Sequence, residues 1–496
     1  MRSRPSRART GRGRSLSVHL VSALALVGSA VPALAVPPGA HGWSRGWNAD
    51  GFAAHLDDGS TVVGGTFLGT ITLGAGHTYA AGNAIGGDVF LVRYSPAGAV
   101  LWSAAYTPTF DGVEVQGLAA DPTNGIYLAG QIDTGEIDFG GGPLSGSNQL
   151  WLAKFDGAGA HLWSAAYGDG QLNDLAAGGA GVALTGQFFG TLDFGGGAMN
   201  SVGGTDIFVA RLDPSGGHAF SARFGDNSAQ RGKRIVIGAA GGVGVAGTIS
   251  GTVDFGGGPI TATGSDVFLA RFDSGGGHLY SQSFVGGFGP AEAVRLDLAV
   301  DGEQRLGLAG TLIGSTDFGG GNLSADGLGD PFLAVFDSDG VLLQAALWGG
   351  AASDSGQGLA VDPAGSFVLT GTFEGTVDFG RGPHASVGGA DLFAVGITAT
   401  GVPVWSRAWG STGEERLAEV STGDSGNLVL YGDAAPGIDF GGGPLASAAL
   451  YCVRLAGASD VVEAPVPAPS VAGGSCFPNP FRESTRIRLV APRGPR

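Results

Sequence analysis

The sequence predicts an all-β chain, a seven-bladed β-propeller with four antiparallel strands per blade, and three observations carry that prediction. Asp-Phe-Gly occurs six times, beginning at Asp138, Asp193, Asp254, Asp317, Asp378 and Asp439, at successive separations of 55, 61, 63, 61 and 61 residues. Each copy sits in one frame of four short runs, rich in β-branched and aromatic residues and bounded by Gly, Asp and Ser, which is the grammar of strands and hairpins. The two ends are out of phase. The chain opens on a run of the fourth type and its last repeat stops on a run of the third type.

The elements follow in order. Six arginines in the first fourteen residues precede the apolar stretch at 16–35, which ends Ala33-Leu34-Ala35. Basic region, apolar region and small-residue site together predict a signal peptide over 1–35, cleaved near Ala35. His19 and Pro32 disfavour a permanent anchor, and no other long apolar run exists. The propeller is expected over 36–457.

Within it, the fourth repeat shows the pattern: "RIVIGAA" at 234–240, "VGVAGTI" at 243–249, the DFGGGP loop, "DVFLARFD" at 266–273 and "HLYSQSF" at 278–284. Phe268, Ala270 and Phe272 alternate with Leu269 and Arg271, the period of a strand. A degenerate copy, Thr72-Leu73-Gly74, stands 66 residues before the first Asp-Phe-Gly. The second run always ends on glycine: Gly65, Gly130, Gly186, Gly247, Gly310, Gly371 and Gly432. Such a glycine supplies either a positive φ or room for a close backbone approach.

Four strands in about 60 residues is the size of a propeller blade. The out-of-phase ends then acquire a use. The strand at 43–47, "WSRGW", completes the last blade, pairs with "LYCVRLAG" at 450–457 and closes the ring.

The repeat resembles the seven-bladed β-propeller repeat family of exported bacterial proteins, with units of the form "DxFLAKLDxxGxxxWS" and "GTVDFGGGP" between the second and third strands. The match covers roughly residues 43–457, with departures at Gln149, Ala449 and Leu342-Leu343-Gln344. The resemblance implies architecture and export, and it supplies no catalytic residues. Residues 458–474 read as a Pro/Ala-rich linker of extended character. Residues 475–496, with Pro478-Asn479-Pro480-Phe481, resemble the opening strand of C-terminal sorting domains related to flagellar-hook-cap-like Ig domains. They stop too soon to bury a core, so the expectation is a partial, disordered segment, either of a truncated domain, the favoured reading, or serving as a short recognition peptide.

Composition excludes some functions. The formal charge is −17, and without the six leading arginines the remainder is about −23, which disfavours phosphate-backbone binding and hence nucleic acid. Cys452 and Cys476 are the only cysteines. Export permits a disulfide, but Cys452 stands where Leu91 and Leu269 stand in matching runs, which suits a buried apolar residue.

The chemical motifs mostly dissolve into the repeat. Asp-Phe-Gly is the magnesium signature of protein kinases, yet here it recurs six times without a catalytic loop, and Lys154 and Lys233 are the only lysines. Gly242-x-Gly244-x-x-Gly247 matches the dinucleotide fingerprint in letters, but no helix follows it. Calcium on the acidic loops is the one cofactor considered. One Asp per loop makes turn bracing the stronger reading, because calcium takes six to eight oxygen ligands.

His161, His218 and His278 share a solvated position after a turn, while His41, His55, His77 and His384 are scattered. Arg93, Lys154, Arg211, Arg271 and Arg454 are locked to the repeat. A catalytic constellation breaks symmetry, and the candidates for such breaks are Glu114, Glu292, Lys233-Arg234 and Glu414-Glu415-Arg416, read as loop charges between blades.

The expectation is therefore a secreted or cell-surface, non-enzymatic binding module. It has no catalytic, cofactor or metal site, acts as a monomer and meets an extracellular protein or glycan. The alternative is a carbohydrate-active hydrolase or lyase, which requires Glu114, Glu292 and Glu414 to converge. A sialidase would need an arginine cluster with a Tyr–Glu pair, and neither is recognisable.

Overall fold

The computed structural model describes residues 41–455, apart from 83–86, 111, 292, 424, 425 and 447. The signal peptide, linker and C-terminal segment, and with them Cys476, lie outside the described residues, as does Glu292. Every regular element among the described residues is a β-strand. No helix among them is long and apolar enough to cross a membrane.

The fourth repeat forms one antiparallel sheet in chain order: Arg231–Ile237, Val243–Ile249, Asp266–Phe272 and His278–Phe284. The strands fall where the runs predicted them. Val243–Ile249 and Asp266–Phe272 are buried along their whole lengths, so they lie in the middle of the layer with apolar neighbours on both faces. Five sheets have this four-stranded form. The second and third repeats depart from it. The fourth strand of one and the first of the next are a single strand, His161–Gly178, so the two repeats share one larger sheet. Asp169 pairs with Gln149 on one side and Gly168 with Leu192 on the other, so pairing never lapses at the junction.

The first strands of successive repeats pack against one another, and Ala49–His55 also packs against Arg416–Thr422 of the last repeat. The opening strand, His41–Trp47, pairs antiparallel with Ala448–Leu455, Trp47 opposite Leu450. Trp43 and Trp47 are buried in a cluster with Tyr94, Val429 and Leu450. The strand begins at His41, two residues earlier than the sequence suggested.

Glycine at the end of the second strand serves close approach rather than positive φ. None of the seven has a left-handed φ. A Cβ on Gly247 would stand 2.0 Å from the Arg231 carbonyl oxygen, and one on Gly130 only 1.8 Å from that of Glu114.

In each Asp-Phe-Gly loop one carboxylate oxygen accepts two backbone N–H groups. Asp254 Oδ1 accepts from Gly256 at 2.7 Å and Gly258 at 3.0 Å, and Asp138, Asp193, Asp317, Asp378 and Asp439 repeat the arrangement. The N–H of Gly319, and then that of Gly321, hold Asp317 below the ordinary carboxylate range. Phe255 is buried and stacks on Phe268 with centroids 4.7 Å apart. Bracing the turn is the role the sequence assigned to the Asp of each loop.

The repeated cations also belong to the architecture. Arg93 donates to the Gly157 carbonyl, Lys154 to that of Pro214 at 3.1 Å, and Arg271 to Gln304, each in a turn of the following repeat. Cys452 is fully buried, as an apolar residue would be, and burial raises its thiol pKa.

The histidines require a correction, because His41, His77 and His384 share one role, while His55 stands apart at the end of the first strand beside Gly423. His161, His218 and His278 each share a hydrogen bond of 3.0 Å with the serine three residues on, and so does His41 with Ser44. His77 reaches Ser103 at 2.7 Å and His384 reaches Ser406 at 2.8 Å from hairpins beside the strand. Each bond therefore ends on the fourth-strand serine of a repeat. In the first and sixth repeats, where no histidine follows the turn, His77 and His384 of the neighbouring hairpin take its place.

Candidate functional site

In a sheet of four antiparallel strands, the second-to-third connectors and the links to the next repeat emerge at the same end. At this end a cavity of about 600 Å³ is lined by first-strand residues of every repeat, including Phe52, Gln116, Asn173, Lys233, Leu296, Gln357 and Glu419.

A backbone irregularity aims several of these side chains. The first strand is bulged between Val115 and Gly117, Leu172 and Asp174, Gly232 and Arg234, and Gly356 and Gly358. The intervening residues Gln116, Asn173, Lys233 and Gln357 all line the cavity. A bulge inserts one residue and redirects the side chains around it. Here it turns a polar residue of four separate repeats toward one space.

Beneath them lies a second set of equivalent positions, each paired with the residue just before the strand-ending glycine. They are Phe52, Gly117, Asp174, Arg234, Asp297, Gly358 and Glu419, opposite Gly64, Ala129, Thr185, Ala246, Ala309, Thr370 and Tyr431. Equivalent positions in the third, fourth, fifth and seventh repeats thus bring one guanidinium to three carboxylates.

Arg234 Nη2 donates to Glu419 Oε1 at 2.9 Å, and Nε lies 3.3 Å from Asp297 Oδ1. Asp174 Oδ2 accepts the N–H of Ile235 at 2.8 Å, and Asp297 Oδ2 that of Leu359 at 2.5 Å. Both carboxylates therefore join one repeat to the next.

Burial sets the protonation. It pushes Asp174 up to about 7, against the pull of Arg234. It raises Asp297 well above the usual range, assisted by Glu419 and opposed by Arg234, and it raises Glu419 against Arg234. Burial works against the charge of Arg234 too, but Glu419, Asp297 and Asp174 more than offset it and its pKa rises. Three carboxylates facing one arginine cannot all stay ionised cheaply, and holding protons is how the cluster lowers that cost.

Two cations above are held by their neighbours. Arg231 Nε donates to Gln187 Oε1 at 2.6 Å, and Lys233 Nζ donates to the Val294 carbonyl at 3.0 Å. Among the described residues no group of three or more His, Cys, Asp or Glu side chains is placed to hold a metal ion.

Lys233 and Arg234 were expected to be loop charges between blades. They lie instead within the strand Arg231–Ile237 and line the cavity. Glu114 is exposed on its strand and is not among the cavity residues. Glu414 lies in another depression with Glu415 and Arg416, 3.5 Å from the Arg416 guanidinium, both side chains 70% exposed. Glu415 is buried and accepts the Ser411 hydroxyl. Glu114 and Glu414 are thus not brought together.

Sequence reasoning passed over Asp174, Asp297 and Glu419. The available signal was their shared place in the repeat, one pairing before each strand-ending glycine.

No family model matches the chain, and no curated protein matches it. Solved structures resemble it at low identity. Sqt1 from Chaetomium thermophilum is 11% identical over 83% of this chain and 90% of its own, with a TM-score of 0.38. YCF48 bound to D1 peptide is 9% identical over 88% of this chain and 99% of its own, at 0.40. The C-terminal WD40 domain of Sif2 is 10% identical over 84% of this chain and 97% of its own, at 0.39. No activity is carried over from them.

Proposed function

We propose that the chain is an exported, monomeric, non-enzymatic seven-bladed β-propeller, closed by the strand His41–Trp47, that binds an extracellular or cell-surface protein without a metal. The contact surface is the end that carries the Asp-Phe-Gly loops and the cavity mouth.

One observation carries this reading. Exposed large apolar side chains occur at both ends, Val341 and Val402 among those at the other, but the four most exposed, Leu328 at 76%, Phe110 at 66%, Phe189 and Val387, all lie in or beside the connectors at that end. Aromatic anchors dominate binding energy at protein interfaces, and both strongly exposed phenylalanines, Phe110 and Phe189, stand at this end. The repeated polar groups, by contrast, are engaged within the architecture.

The test uses the full-length chain secreted from its host, crosslinked to intact cells and probed for a defined partner band. The combined substitutions Phe110→Ser, Phe189→Ser and Leu328→Ser are expected to weaken capture at least tenfold, while Val402→Ser, in a turn at the opposite end, leaves it unchanged. Equal capture by all variants overturns the reading. N-terminal sequencing of the secreted chain is expected to begin at Val36.

A further inference from the structure

We infer that a depression at this end, between the fifth, sixth and seventh repeats, seats a lysine of that partner together with a neighbouring apolar side chain. This rests on the reading above that a protein docks here. The depression, of about 350 Å³, is the one that holds Glu414 and Arg416. Its apolar wall is Ile313, 46% exposed, and Leu328, with the buried Phe288. Ile313 and Leu328 both stand in connectors of the fifth repeat.

Every charged group in this wall but one has a partner within the chain. Asp354 is buried and accepts the backbone N–H groups of Gly350 at 2.8 Å and Glu374 at 3.0 Å. Glu415 is buried and takes the Ser411 hydroxyl, Glu414 faces Arg416, and Arg295 is engaged as well. Glu374 is the exception. Its side chain is exposed and makes no ion pair or hydrogen bond among the described residues, while Asp354 fixes its backbone. The connector beside it is also fixed. Leu328 donates its N–H to the Ala352 carbonyl at 3.2 Å, and Asp354 donates its own to that of Gly329 at 2.8 Å. Walls held before any partner arrives lower the ordering cost of binding. A lysine suits a lone carboxylate beside an apolar wall, because its stem lies along apolar surface while its ammonium reaches a polar edge.

The experiment treats the mature secreted chain on intact cells with a zero-length carbodiimide, which joins a carboxylate to an amine only where the two touch. Mass spectrometry is expected to find Glu374 joined to a lysine of the captured protein. Glu374→Gln removes that crosslink and weakens capture about threefold, the small effect of an exposed ion pair. Glu374→Lys sets like charges together and is expected to weaken capture on the order of tenfold. Thermal unfolding of Glu374→Gln is unchanged, because that side chain has no partner in the chain to lose. Glu303→Gln, 75% exposed in a turn at the opposite end, leaves capture as it is. Capture that Glu374→Lys spares or strengthens overturns the inference. So does a partner joined only at other carboxylates. If the Phe110, Phe189 and Leu328 substitutions weaken capture while Glu374→Lys does not, only this inference falls. If those substitutions spare capture, the docking reading falls whatever Glu374 does.

Discussion

The imidazole of His41, in the first described strand, lies over Gly442 in the last Asp-Phe-Gly loop, where a Cβ on that glycine would stand 2.1 Å from the ring. His161 lies over Gly141 and His278 over Gly257 in the same manner, each within its own repeat. The N-terminal strand therefore does for the last repeat what each fourth strand does for its own. Deleting residues 41–47 bares the edge of Ala448–Leu455 and removes the buried Trp43 and Trp47. Trp47→Ala alone is expected to cost about 3–5 kcal/mol, and the deletion more, read from urea unfolding midpoints. An unchanged midpoint would refute the role of this strand.

Gly247 has a carbonyl where its side chain would be, that of Arg231 at 2.0 Å, with the Phe268 ring at 2.9 Å. Gly247→Ala is expected to destabilise by about 1–3 kcal/mol through overpacking. Gly258→Ala strains a left-handed residue, φ 108°, but meets nothing within 4 Å. Comparing the two by thermal unfolding separates steric conflict from backbone strain.

Asp254 braces its loop by two hydrogen bonds. Asp254→Ala is expected to cost about 1 kcal/mol, because hydrogen bonds at an exposed site exchange with water. Calcium is expected to leave the melting temperature of the native chain unchanged. Each loop offers one carboxylate, and one of its oxygens is already occupied by two N–H groups. A calcium-dependent rise that disappears in Asp254→Ala would count against turn bracing as its role.

Asp174, Asp297 and Glu419 all have pKa values raised by folding, Asp174 from 3.8 to about 7. A raised carboxyl pKa means that the folded state binds the proton more tightly than the unfolded chain does. The resulting stability is fully present below pH 3.8 and is lost as pH rises through about 7. This cluster is expected to lower the melting temperature across that window. Arg234→Met removes the one opposing charge and should steepen the decline. At neutral pH the loss is about 2–3 kcal/mol, below the cost of breaking a fully buried pair because Arg234 keeps 24% exposure. Asp174→Asn should flatten the decline, and a pH series of melting curves measures both.

Much of this molecule was legible in its residues. The strands of the fourth repeat, the braced Asp254 and packed Phe255, and the glycine closing each second strand all follow from local chemistry: alternation, turn propensity and the absence of a Cβ. The pairing of His41 and Gly442 was harder to see, because equivalence across the repeat appears only when the opening strand is set beside the last repeat. Lys233 and Arg234 were noticed as departures from the repeat but misread as loop charges, since a bulge leaves no mark in composition.

By itself the sequence determined the strand runs, their order, and the loops that join them, because each depends on residues within a few positions of one another. Only the tertiary structure decided which polar groups share the cavity. Side chains in a strand alternate between faces, and one inserted residue reverses which face they take. Whether Asn173, Lys233 and Gln357 meet, and whether Arg234 finds Glu419, therefore depends on backbone register in sheets built from distant parts of the chain. The protonation of the carboxylates follows from that meeting, since burial and neighbouring charge, rather than residue type, hold Asp174 near neutrality.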